Sequence, residues 1–169
     1  SSAALGDAIT RAPGTFARTL VGIDHLVSAG VKVVINFVIC RQNQHDLVAT
    51  VALVAARWPG VPLNISFVAA STDVVPREKT LIPRYTDVLP ELSAAVSRAA
   101  SLGVVLLGFE SMCGVPLCLV PPAVAATIGQ REGASADDRG EFLKTESCTS
   151  CGLTRVCWGL RRGYAELYG

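Results

Sequence analysis

Three short apolar runs separated by stretches of helical spacing most narrow what this chain can fold into. The first, VKVVINFVIC at residues 31–40, is β-branched and apolar on both faces, as expected of a parallel strand covered on each side. The second, VPLNISFVA at 61–69, puts Leu63, Ile65 and Phe67 on one face and Asn64 and Ser66 on the other. The third is VVLLGFES at 104–111. Ahead of the first run, Thr15 is the expected N-cap of a helix that carries Phe16, Leu20, Ile23 and Val27 on one face and ends at Gly30, with Asp24 and His25 off that stripe. A second helix, with Asn43 as a candidate cap, carries Leu47, Val51 and Val54 until Trp58, Pro59 and Gly60 stop it. A third has Pro90 in its first turn, carries Leu92, Val96 and Ala99, and ends at Gly103. Residues 1–14 show no periodicity. This alternation predicts the α/β class, with right-handed crossovers and helices outside a parallel sheet. Three strands are too few to close a barrel, so a sheet edge is expected to lie open.

After Ser111 the pattern changes. A Pro-flanked loop, GVPLCLVPP, supplies Cys118; the Gly- and charge-rich stretch at 129–141 reads as a mobile loop; the tail CTSCGLTRVC supplies Cys148, Cys151 and Cys157. A CxxC pair presents two thiolates to one centre without strain, and backbone N–H groups of its turn can point at the sulfurs. With the third tail cysteine and Cys118, these give the four soft ligands that zinc or an iron-sulfur cluster requires, and spacing alone does not choose between them. Six cysteines would allow three disulfides, but a chain with half its residues apolar has little need of them, and CxxC spacing fits a reducing compartment, so the cytoplasm is expected. With 17% charged residues and a formal charge of +1, nothing favours a nucleic-acid partner. No apolar run is long enough to cross a bilayer, and no secretory leader is seen.

The stretches TRAPGTFARTLVGIDHLVSAGVKVVINFVICRQNQHDL, ISFVAASTDVVPREKTLIPRYTDVLPEL and FESMCGVPLCLVP, followed by the CxxC tail and CWGLRRGYAELYG, resemble the C-terminal half of radical S-adenosylmethionine (SAM) proteins. The resemblance covers nearly the whole chain. It implies the parallel-stranded half of a partial TIM-like (β/α)6 barrel over residues 1–112. A cysteine-rich extension of the SPASM or twitch kind follows over 113–169, with Cys118, Cys148, Cys151 and Cys157 as ligands of an auxiliary 4Fe-4S cluster. The fuller form of that extension has another cysteine four positions beyond the one matching Cys157, where this chain has Arg161. The family's CxxxCxxC, which holds the SAM-cleaving cluster, does not occur in these residues and is expected upstream of Ser1. The resemblance therefore implies an enzyme only when a missing N-terminal half completes it; that half, or a second copy, is expected to cover the open sheet edge. Such an enzyme would draw on an electron donor for deoxyadenosyl-radical chemistry on a peptide or small-molecule substrate. Asn36, Arg41 and Ser66, in or just after the strands, are candidate SAM contacts, because ligands of such barrels sit at the carboxyl ends of the strands.

Blander readings stand beside these. The tail cysteines suit a zinc knuckle in a non-catalytic scaffold or partner-binding module. Cys40 and Cys113 read as buried small hydrophobes, with Cys113 a substitute ligand should Cys118 face away. His25 and His45 have no partner at metal spacing and read as surface residues. Asn36, expected inside an apolar strand, needs partners that a ligand or a neighbouring strand would supply. Arg161 and Arg162 beside Tyr164 and Tyr168 read as a helix face stapling the tail to the core.

Overall fold

Alternating Ile, Phe and Leu build β1 (Ile35–Ile39) and β2 (Leu63–Phe67), which pair in parallel from Ile35 opposite Leu63 to Ile39 opposite Phe67. β3 (Leu106–Leu107) adds to the far side of β2, giving the order β1-β2-β3 in a sheet that does not close into a barrel. The computed structural model describes residues 1–68, 70, 76–128 and 140–169. Ala69 of the expected second strand, residues 71–75 of the polar segment after it, and 129–139 of the expected mobile loop lie outside the described residues.

The helices follow the stripes, with shifted ends. Residues 1–14, without periodicity, contain α1 (Ala3–Thr10), whose start is capped by the Ser2 hydroxyl accepting from the Leu5 N–H at 3.3 Å. α2 (Thr15–Ser28) is capped from a distance. Thr15 is its first residue, and the Asp7 carboxylate accepts from the N–H groups of Gly14 at 2.6 Å and Phe16 at 2.8 Å. Those hydrogen bonds hold the Asp7 carboxyl below the usual aspartate range. α3 (Leu47–Arg57) buries Leu47, Val51 and Val54 as its stripe requires; Asn43 ties the turn before it, while Glu91 of the facing helix accepts from the Val48 N–H at 3.0 Å. α4 (Tyr85–Leu102) begins five residues before Pro90, not at it. Pro90 is exposed, so the missing N–H falls on the solvent side, while Tyr85, Val88 and Leu92 are buried and repay the longer helix. Gly103, in the left-handed region at φ 69°, ends it.

α3 and α4 pack together on one face of the sheet, and Leu63, Ile65, Phe67, Val51, Val54, Leu92 and Ala95 form the core there. The opposite face is not covered as the doubly apolar sequence led one to expect. Val34, Val38 and Val105 are 55%, 43% and 56% exposed, and Asn36 is exposed between the first two. Burying a valine fully is worth about 1.5–3 kcal/mol, so this face holds apolar area whose burial would be favourable.

β3 is shorter than the expected 104–111 because Gly108, at φ 94°, turns the chain. Its α-carbon lies so close to Asn64 and the Ile65 carbonyl that a side chain there would displace them. A 3-10 turn at Leu117–Leu119 and the short α5 (Pro122–Ile128) follow. The chain ends in a two-stranded antiparallel sheet of β4 (Phe142–Leu143) and β5 (Leu160–Arg161), then α6 (Arg162–Tyr168). Among the described residues no helix is long and apolar enough to cross a membrane.

Candidate metal centre

The hairpin of β4 and β5 gathers the tail cysteines, because Leu143 pairs with Leu160 and closes the excursion between them. Gly159, at φ 101°, permits that closure, since a Cβ there would collide with the Leu143 carbonyl. Inside the excursion, Glu146–Cys148 forms a 3-10 turn, and the N–H of Cys151 reaches the Cys148 carbonyl at 3.3 Å. Thr154 N–H bonds the Cys151 carbonyl at 3.1 Å, and Cys157 N–H bonds the Leu153 carbonyl at 2.9 Å. Cys118 arrives from the other direction. Its 3-10 turn is anchored by Leu117, buried to 1% exposure in the main core.

All four of these cysteines line one cavity of ≈ 220 Å³, with Leu119, Leu143, Leu153 and Leu160 among its walls and Lys144 its sole lysine or arginine. The sulfurs are not equivalent. Cys157 Sγ accepts from the N–H groups of Leu117 and Gly159, each at 3.4 Å, the kind of contact that stabilises a thiolate ligand. Cys148 Sγ lies 3.7 Å from the Thr145 hydroxyl. The Cys118 thiol is pushed above its ordinary pKa, first by burial of the sulfur and then by Cys157, with smaller contributions from Cys151 and Cys148. The residue as a whole is exposed, so the desolvation is partial. Among the described residues, however, no three His, Cys, Asp or Glu side chains are arranged to hold a single metal ion. The cysteines share a cavity without closing on a point at its centre.

The extension is docked on the sheet unit by aromatic side chains, as the tail residues predicted. Tyr164 stacks on Tyr85 with centroids 3.9 Å apart, and its hydroxyl accepts from the Tyr85 N–H at 2.8 Å. Burial raises both phenol pKa values. Tyr168 donates to the Ile82 carbonyl at 2.5 Å. Gly163 sits against Ala70 so closely that a Cβ would collide with its carbonyl oxygen. Trp158 Nε1 donates to the Glu110 carbonyl at 3.1 Å, and Arg161 reaches Glu141 at 3.1 Å and the Met112 carbonyl at 2.6 Å.

Of the candidate SAM contacts, Asn36 and Ser66 come together and Arg41 stands apart. On the less covered sheet face, Asn36 Oδ1 accepts from Ser66 Oγ at 2.9 Å and from Asn64 Nδ2 at 2.7 Å. Asn36 is thus exposed rather than buried, and its neighbouring strand satisfies it. Asn64 was legible as a partner from its alternation with Ser66, but not as the cross-strand neighbour of Asn36, which depends on register. Arg41 pairs loosely with Asp87 of α4 at 3.9 Å. Cys40 is buried as expected; Cys113 is exposed, contrary to expectation, because it sits on the turn after Gly108, and it does not line the cavity. His25 and His45 are exposed. The walls supplied by Leu119, Leu153 and Lys144 had no signal in the sequence. Comparison of the chain with protein-family models, with curated proteins and with solved structures finds no match.

Proposed function

We propose that Cys118, Cys148, Cys151 and Cys157 hold one auxiliary 4Fe-4S cluster in what is the C-terminal portion of a radical SAM enzyme. The observation that carries this reading is the single cavity lined by all four sulfur-bearing residues, although they lie on two separate segments of the chain. The choice of a cluster over one zinc ion rests on the resemblance of the tail to the cysteine-rich extension of radical SAM proteins, since four thiolates suit either centre.

When bound, a cluster supplies one-electron transfer. The chain's own residues do the rest. The N–H groups of Leu117 and Gly159 orient the Cys157 sulfur, the leucines at 119, 143, 153 and 160 exclude water, and Lys144 places a positive charge at the wall. In the same reading the exposed valines and the Asn36, Asn64 and Ser66 group belong to the inner face of a barrel completed by further strands, from a longer chain or a second copy. On that reading Asn36 and Ser66, joined at 2.9 Å, are candidate SAM contacts, Ser66 nearer the carboxyl end of its strand than Asn36. Arg41, turned to Asp87, makes the weakest of the three candidate contacts.

Anaerobic reconstitution with iron and sulfide tests the proposal. The expected product is brown, with about four irons per chain, and the Cys148→Ala protein loses that iron. A colourless product holding one zinc per chain with iron excluded would overturn the cluster and leave a zinc-stapled scaffold.

A further inference from the structure

We propose a second ligand site, independent of the cysteine cavity: an open cavity of ≈ 320 Å³ near the carboxyl end of β1, in which Arg41, Lys79 and Arg84 receive a phosphate-class dianion beside Tyr168. Its cations come from separate segments. Arg41 follows β1, Lys79 and Arg84 precede α4, and Tyr168 is delivered by α6 from the far end of the chain. The Tyr168 ring is fixed by its hydroxyl bond to the Ile82 carbonyl at 2.5 Å and by its contact with Tyr164, centroids 4.9 Å apart. Around that fixed ring sit two cations, Arg84 with its guanidinium carbon 4.7 Å from the centroid and Lys79 with its Nζ at 5.5 Å.

Two cations sharing one ring repel each other. Among the described residues Lys79 and Arg84 form no ion pair. Arg41 has only the 3.9 Å pairing with Asp87, the one carboxylate lining the cavity. Glu78, nearby in sequence, is engaged by the Thr80 hydroxyl at 3.1 Å. Three cations against one carboxylate leave the lining with a formal charge of +2. A phosphate monoester carries about −1.5 to −2 at neutral pH and matches that surplus, whereas a carboxylate brings only one charge. Two arginine forks and a lysine provide the bidentate and point-charge donors that such a group takes. The cavity also lies at the end of the sheet where parallel α/β folds place their ligands.

Titration calorimetry on the full chain tests the site, with inorganic phosphate and glycerol phosphate as separate ligands and sodium chloride at equal ionic strength as control. Both phosphates are expected to bind beyond the chloride control. Lys79→Gln and Arg84→Gln, exposed substitutions outside the core, should each weaken binding about tenfold. Tighter binding of glycerol phosphate assigns the site to an ester-borne phosphate, and tighter binding of inorganic phosphate to the free anion. Heat no greater than that of chloride, or affinity unchanged in the Lys79→Gln, Arg84→Gln double variant, overturns the proposal.

Discussion

In the sheet unit, side chains such as Leu63, Val51 and Ala95 are wholly enclosed, and β1 and β2 pair along all five residues, with the two-residue β3 beside them. In the extension each strand is two residues long, Cys118 and Cys148 lie in 3-10 turns and Cys151 and Cys157 in irregular backbone, and the deepest side chains, Leu117, Ile128 and Val120, are buried by joining the sheet unit's core. The first region is ordered by what it buries within itself. The second is ordered largely by what it leans on, through the Tyr164 and Tyr85 stack, the Gly163 and Ala70 contact and the Trp158 bond to Glu110. Contacts of this kind fix position without supplying an independent core, so the extension should be the first part to come loose.

The chain carries one tryptophan in each region, Trp58 and Trp158, so each can be followed separately in single-tryptophan variants. Leu63→Ala empties the centre of the core and should cost about 2–5 kcal/mol in denaturant unfolding, with both tryptophans reporting the loss together. If Trp158 kept its midpoint, the extension would be standing by itself and the contrast would be false. Gly163→Ala forces a methyl against the Ala70 carbonyl and should cost about 1–3 kcal/mol at the docking surface. Its Trp158 signal is expected to melt ahead of Trp58, whereas coincident melting would mean one cooperative unit. The smallest effect is a pH dependence confined to the sheet unit. Arg57, followed by the Trp58 indole, holds the Asp24 carboxyl down to about 2 from an ordinary 3.8. A folded-state pKa below the unfolded one adds stability that is present above pH 3.8 and lost as pH falls towards 2. Asp24→Asn should flatten the melting temperature across that window, and an unchanged acid slope would remove this pin from the account.

What the sequence disclosed follows the same division. β1, β2 and the stripe of α3 were legible because burial imposes a period on residues such as Leu47, Val51 and Val54. α1 was missed, being short and without a buried residue, and the capping of α2 by Asp7 spans seven residues to Gly14, beyond any local signal. The start of α4 was misplaced because Tyr85 is held in the helix by Tyr164, a partner much later in the chain, which outweighs the proline six positions into it. The uncovered face of β1 was misread because composition records that a side chain is apolar and not whether anything lies over it. For the cysteines, spacing picked out the four that line one cavity. Its apolar walls and the exposure of Cys113 depended on how the turns after Gly108 and Leu143 run.

Three candidate sulfurs travel with one hairpin, while the fourth rides on a turn rooted by Leu117 in the interior. A hairpin that swings away takes three donors along and leaves one behind. The four sulfurs therefore stand around one cavity only in the assembled fold, and a probe that needed all four would report that the two parts of the molecule have met.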